Sequence, residues 1–184
     1  MKFHESKLKG LYVIELQPFI DERGYFVRSY CDKTLERLGI TKSIKQINHS
    51  STLKVGAIRG MHYQDPPHAE LKMIRCIAGE IFDVAIDLRK DSETFLQWHG
   101  EYLRAGDFKM MIVPEGFAHG FQAIKKNSEI FYPSTASYNP QFERGILFSD
   151  KNIGIEWPLK VTDISEKDSN HKTLNREFIG LDIK

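Results

Sequence analysis

From Glu80 to Leu88 an apolar side chain falls on every second residue, Phe82, Val84, Ile86 and Leu88, with Asp83 and Asp87 in between. That is the two-residue period of a half-buried strand, and it assigns each residue to one side of a wall. Similar short runs recur at Ile44–Asn48, Val55–Tyr63, Leu71–Ile77, Phe95–Leu103, Phe108–Val113, Gly120–Ile124 and Glu129–Tyr132. Turn residues break them at Gly56, Gly79, Asp91-Ser92, Ala105-Gly106-Asp107 and Lys126-Asn127-Ser128. Many short strands at regular spacing imply a sandwich or a barrel. Helical period is confined to Asp32–Leu38, with Asp32 as cap, Leu35 and Leu38 on one face and Gly39 as the stop, and to a second short segment near Ser165–Ser169.

No repeat, low-complexity linker or break in composition divides the chain, and 184 residues at 41% hydrophobic content supply one ordinary core. The expectation is a single all-β domain over residues 1–184. A net charge of +1, from 26 basic and 25 acidic residues with no long run of either, creates no bulk field toward nucleic acid or a membrane surface. An anionic partner must therefore be bound locally. Met1–Lys7 holds no apolar stretch of signal-peptide length, and no segment approaches the ~18 apolar residues of a membrane span, so the cytoplasm is the expected location. Cys31 and Cys76 are too few for a disulfide framework and lack metal-ligand spacing.

Two segments set far apart carry the chemistry: Arg59-Gly60-Met61-His62-Tyr63-Gln64, followed by Lys72, and Pro114-Glu115-Gly116-Phe117-Ala118-His119. Pro-x-Gly-x-x-His resembles the second half of the signature of the cupin barrels. The first half, His-x-His, a few residues, Glu, six residues, Gly, would supply the other metal ligands. In this chain Gln64 stands in place of the second His, and Lys72, with six residues between it and Gly79, in place of the Glu. A lysine ammonium repels a cation and stabilises an anion. The altered signature thus implies a cupin-type jelly-roll barrel with a few short peripheral helices, no metal, and a pocket for developing negative charge. Strand placement puts His62, Gln64 and Lys72 on neighbouring strands facing one lumen, with the turn at Gly116 bringing His119 to the facing wall. Such a set suits removal of a proton next to a carbonyl: a histidine as base, Lys72 and the second histidine holding an enolate oxygen, and the Tyr132 phenol as acid.

The order and spacing of Asp21-Glu22-Arg23-Gly24-Tyr25-Phe26, Arg59–Gln64, Asp83–Arg89, Pro114–Phe121 and Gly154-Ile155-Glu156-Trp157-Pro158 resemble the successive motifs of the dTDP-4-dehydrorhamnose 3,5-epimerases over roughly residues 8 to 170. The resemblance implies an epimerase acting on a nucleotide-diphosphate 4-keto-6-deoxyhexose, whose C4 ketone acidifies the hydrogens at C3 and C5. It implies His62 as base with Asp168 as its dyad partner, Lys72 at the enolate oxygen, His119 as a second stabiliser or polar binder, and Tyr132 as proton donor on the opposite face. Arg23, Gln46, Asn48, Arg59 and Tyr138 would bind the diphosphate, sugar and base, an arginine fork suiting a diphosphate. No cofactor is implied, because the substrate carries its own electron sink. A homodimer is also implied, with an N-terminal arm of about residues 1–30 in its contacts, the Arg23 segment reaching the partner's site, and a helical tail over about 160–184.

Two departures from the family pattern fall where specificity would lie. Arg28 reverses the charge of a residue near the nucleobase, and a guanidinium suits the N3 and O2 acceptors of cytosine. A CDP-linked or other non-dTDP sugar is therefore an alternative substrate. Pro133 follows Tyr132 and restricts it, so inversion of C3 alone or C5 alone is a second alternative. Readings of another class are a metal-dependent cupin using His62, Glu70 and His119, which Lys72 opposes, and a silent nucleotide-sugar binding module. Asp83 and Asp87 read as structural, and His68 and Glu70, among prolines, as loop residues with a solvated or lid role. His4, His49, His99 and His171 carry no functional assignment.

Overall fold

A strand that alternates apolar residues with carboxylates must find cover for one face and partners for the other. How this chain does so is seen in a computed structural model that describes residues 1–175 and 177–183. Among the described residues the strands are β1 (Lys2–Glu5), β2 (Tyr12–Glu15), β3 (Phe19–Asp21), β4 (Gly24–Phe26), β5 (Gln46–Thr52), β6 (Ala57–Gln64), β7 (Lys72–Ala78), β8 (Glu80–Asp87), β9 (Trp98–Arg104), β10 (Lys109–Val113), β11 (Phe117–Ala123), β12 (Ser128–Ser134), β13 (Glu143–Gly145) and β14 (Asp163–Ile164). One sheet has the order β1-β2-β10-β7-β12-β5, and a second has β13-β6-β11-β8-β9, with β14 added in parallel to β6. Consecutive strands such as β6 and β7 lie in different sheets, as in a jelly roll.

The alternation of each strand sorts its residues between lumen and exterior. Ile74 and Cys76 of β7, Met111 and Val113 of β10 and Ile130 of β12 meet Ile81 and Ala85 of β8, Leu103 of β9 and Phe117 and Phe121 of β11 in one buried cluster between the sheets. The cupin-type barrel is therefore a packed core over part of its length. The intervening residues Met61, Tyr63, Phe82, Val84, Ile86 and Ala118 face outward, where Ile146, Ile153, Trp157, Leu174 and Leu181 of the C-terminal segment cover them. On the other sheet Ile14, Met73, Met110 and Ile112 are covered by Leu16 and Leu35.

This cover corrects the reading of β8 as half-buried, since all of its residues are buried. The period is as expected, but Asp83 points into the barrel, because the apolar face is the outer one and the C-terminal segment shields it. Asp87 does act structurally: its Oδ2 accepts hydrogen bonds from Ser92 at 2.6 Å, Thr94 at 2.7 Å and Arg89 at 2.7 Å.

At the N-terminus β1 and β2 pair within the chain's own sheet. Residues 19–26 form a separate hairpin with Phe19, Ile20, Tyr25 and Phe26 exposed. Helix α1 (Asp32–Leu35) continues as a 3-10 turn over Glu36–Leu38 and stops at Gly39 with φ 75°; Cys31, not Asp32, occupies the cap position. At the C-terminus α2 (Glu166–Ser169), capped by the Ser165 side chain, is the one helix described beyond residue 160, so the tail packs mainly as irregular chain. No helix among the described residues is long and apolar enough to cross a membrane.

Gly60 marks the closest approach of β6 and β11. Its φ is +126°, and a Cβ there would lie 2.5 Å from the Gly120 Cα and 2.9 Å from the His119 carbonyl oxygen. The pairing of the two strands shifts register at this point, between His119 and Phe121. Both the backbone conformation and the contact exclude a side chain. Gly60→Ala is expected to lower stability by at least about 2 kcal/mol, read as a fall in the urea midpoint.

Candidate active site

The second sheet contributes two imidazole–carboxylate pairs side by side. His62 on β6 and His119 on β11 are cross-strand partners. His62 Nε2 lies 2.7 Å from Asp168 Oδ1, and the Gly60 N–H donates to Asp168 Oδ2 at 3.0 Å. Asp168 is brought there by α2, whose Ser165 cap accepts the Asp168 N–H at 3.0 Å. Burial alone would raise the Asp168 carboxyl, but the hydrogen bonds from His62 and Gly60 outweigh it and hold the group below its ordinary value. His119 Nε2 is 2.8 Å from Asp83 Oδ1. Asp83 is wholly buried, and loss of water pushes its carboxyl upward against the pull of His119.

The first sheet supplies the opposite wall. Lys72 begins β7, and Tyr132 lies on β12, where Ser134 pairs with Lys72. Lys72 Nζ lies 3.2 Å from Glu70 Oε1, and Glu70 Oε2 accepts the Ser134 hydroxyl at 2.5 Å. Glu70 is thus not solvated: its side chain is 11% exposed and packed beside the ammonium. Burial first, and the Glu70 carboxylate second, raise the Tyr132 phenol above its ordinary 10.0 and keep it protonated.

The placement of the walls also corrects an expectation. His62 and His119 share a sheet and Lys72 faces them, because the chain crosses between sheets after β6 instead of turning back beside it. A cavity of about 760 Å³ lies between the walls, lined among others by Arg59, His62, Lys72, His119, Tyr132 and Asp168. A second of about 300 Å³, lined by Gln46, Asn48, Glu70, Tyr138 and Glu143 among others, shares His62, Lys72 and Tyr132 with the first. Together they match the size of pockets that hold small ligands. Pro133 pairs with Ile47 within β12 and leaves Tyr132 lining both cavities.

Of the other expected binding residues, Arg59 donates to the Thr52 hydroxyl and the Ser51 carbonyl, each at 3.0 Å, and so lies along one rim. The Tyr138 N–H donates to Gln46 Oε1 at 2.7 Å, and its hydroxyl to Glu143 Oε2 at 2.7 Å. Arg23, in the exposed hairpin, pairs with Asp21, and Arg28 is exposed; neither lines either cavity. At the positions where a cupin binds its metal, the Gln64 amide donates to the His68 carbonyl at 3.1 Å and accepts the Asn139 N–H at 2.6 Å, and Lys72 brings a positive charge. Those positions do not fit a cation.

Sequence reasoning missed Asp83, Glu70, Glu143 and His171 as residues of the site. Glu70 had a signal in its i, i+2 relation to Lys72, which places both on one side of an extended segment. Asp83 had one in its position opposite the apolar face of β8. His171, three residues after Asp168, places Nε2 3.6 Å from Asp168 Oδ1. Glu143 and Lys167 pair at 2.6 Å beside them. Chemically, the arrangement offers a base held by a carboxylate on one wall, and a phenol proton and an ammonium on the other.

A family model described as dTDP-4-dehydrorhamnose 3,5-epimerase matches residues 5–176. A dTDP-4-dehydrorhamnose 3,5-epimerase from Shigella flexneri is 42% identical over 183 residues, covering 99% of this chain and 98% of that protein. Among solved structures, the enzyme of that name from Bacillus anthracis, with TDP and PPi bound, gives a TM-score of 0.91 at 39% identity, covering 94% of this chain and 99% of that one. A dTDP-6-deoxy-D-glucose-3,5-epimerase from Legionella pneumophila, in complex with dTDP-4-keto-L-rhamnose, gives 0.92 at 35% identity, covering 100% and 98%.

Because the Glu70 charge is one cause of the raised Tyr132 phenol, Glu70→Gln is expected to move ionisation of that phenol to lower pH. Ultraviolet difference titration of tyrosinate, with Tyr132→Phe in the same background to isolate the signal, measures the shift. An unchanged titration would show that burial alone raises the group.

Proposed function

The chain belongs to the dTDP-4-dehydrorhamnose 3,5-epimerase family and is an isomerase, and from this we propose that it inverts C3 and C5 of a dTDP-linked 4-keto-6-deoxyhexose by proton exchange across its two walls. The observation that carries the reading is the opposition of the His62–Asp168 pair on one sheet to Lys72 and Tyr132 on the other, around one cavity.

In this reading Asp168 accepts the Nε2–H of neutral His62, which leaves Nδ1 with the lone pair. Nδ1 removes the proton from C3 or C5, made acidic by the C4 ketone, and the imidazolium that forms is stabilised by Asp168. Negative charge moves to the C4 oxygen, where the Lys72 ammonium lies on one side and the His119–Asp83 pair on the other. Tyr132, a phenol already protonated at neutral pH and raised further by burial, returns a proton from the far face and inverts the carbon. The ketone is the electron sink, so the step needs no cofactor. Positioned general acid–base groups contribute roughly 10²- to 10⁴-fold each.

Arg59, Gln46, Asn48 and Tyr138 take the diphosphate, sugar and base at the rim. Arg23 and Arg28 serve the site of a second copy in a homodimer, because in their own chain they lie outside both cavities. The Bacillus relative with TDP bound and the Legionella relative with dTDP-4-keto-L-rhamnose bound support thymidine over cytidine as the base.

Incubation with dTDP-4-keto-6-deoxyglucose in deuterated water, followed by proton NMR, tests the reading. Label is expected at both C3 and C5, with His62→Ala slowing incorporation by roughly 10²- to 10⁴-fold. Label at one carbon would make the protein a mono-epimerase, and no label would remove this substrate. A His62→Ala rate equal to that of the unaltered protein would remove the base assignment.

A further inference from the structure

The dyad has a third member that the reaction does not use. His171 Nε2 is buried with no hydrogen-bond partner among the described residues, 3.6 Å from Asp168 Oδ1. Its ring stands edge-on to that of His62, 5.7 Å between centroids at 79°. Space for it comes from Gly145, the cross-strand partner of His62 on β13, where a Cβ would collide with the His171 ring. One ligand atom from each of His62, Asp168 and His171 lies within 4.8 Å of the others.

We infer that His62, Asp168 and His171 form a binding site for a divalent first-row cation, of which Zn²⁺ is the type, and that occupancy switches the base off. Two imidazoles and a carboxylate are a common ligand set for Zn²⁺, with a fourth position left for water. Metal–ligand distances of about 2.0–2.2 Å put tetrahedral ligands about 3.3–3.6 Å apart. The His171–Asp168 separation of 3.6 Å is already near that, and the His62–Asp168 hydrogen bond at 2.7 Å must open by about 0.6–0.9 Å. The nearby Lys167 ammonium is paired with Glu143 at 2.6 Å, which offsets its repulsion of a cation. Of the cupin ligand positions this site takes only His62; Gln64 and Lys72 are not part of it.

The consequence for the base follows from proton accounting, and it rests on the proposed role of His62. In the metal-free dyad the imidazole proton is on Nε2. A cation on Nε2 displaces it, and the neutral ring then carries its single proton on Nδ1, the nitrogen that must accept one from the sugar. The reaction stops without loss of fold or of substrate-binding residues.

The test uses protein without a polyhistidine tag, stripped by a chelator and titrated with Co²⁺. One equivalent of Co²⁺ with the visible absorption of a four-coordinate site is expected, displaced by Zn²⁺. Removing a ligand should cost at least what loss of an outer-shell partner costs, so His171→Gln is expected to weaken binding by about 10- to 100-fold or more. Nitrogen NMR of the unaltered protein should show the ring signals of both histidines moving on addition of Zn²⁺, a readout independent of any variant. Deuterium incorporation should fall in proportion to occupancy and return with chelator. Absence of saturable Co²⁺ binding, or binding and ring shifts that do not involve His171, would overturn the site. A His171-dependent site whose filling leaves deuterium incorporation unchanged would overturn the switch, and with it the use of His62 Nδ1 as base.

Discussion

The carboxylate of Asp168 joins two parts of the chain that lie more than a hundred residues apart, and the site depends on that junction. One oxygen takes the His62 ring and the other the Gly60 N–H, 106 and 108 residues away in sequence. Hydrogen bonds to a charged group contribute about 1.5–3 kcal/mol each. The same segment that delivers Asp168 goes on to cover the outer face of the second sheet, so the chain that completes the dyad also covers the core. The lack of a side chain at Gly60 belongs to the same junction, since close approach of β6 to β11 sets His62 beside His119.

Two carboxylates facing two imidazoles would seem interchangeable, yet their surroundings drive them apart. Asp168 receives the Gly60 N–H besides the His62 ring and is held below the ordinary range. Asp83 has one imidazole partner in full burial and is pushed up. The first stays ionised and suits stabilisation of an imidazolium. The second is hydrogen-bonded to His119 inside the barrel and feels the ammonium of Lys72, whose own field is tempered by Glu70. A barrel that elsewhere holds a cation therefore presents here a set of groups able to meet transient negative charge.

Much of this was legible in the residues. The two-residue period from Glu80 to Leu88 marks a strand, Ser165 three residues before Asp168 marks a helix start, and Lys72 in a ligand position marks anion chemistry. Sequence period, however, gives the two faces of a strand without saying which is the lumen. For β8 the apolar face is the outer one, so Asp83 moved from a structural part to the interior of the site. The burial of Glu70 and His171 could not be read for a related reason: a proline-rich loop and a charged C-terminal stretch look solvated until the elements that bury them are in place.

What the sequence by itself determined is local, namely strand period, turn positions, the short helices and the ionisable groups present at His62, Lys72, His119 and Tyr132, because backbone sterics and side-chain character act over a few residues. The tertiary structure alone decided that His62 pairs with His119 on one sheet while Lys72 and Tyr132 face them from the other. It also decided that Asp83, Asp168 and His171 meet those histidines. These are matters of sheet order and of which segment covers which face, and they follow from burial of the whole chain, which no local pattern contains.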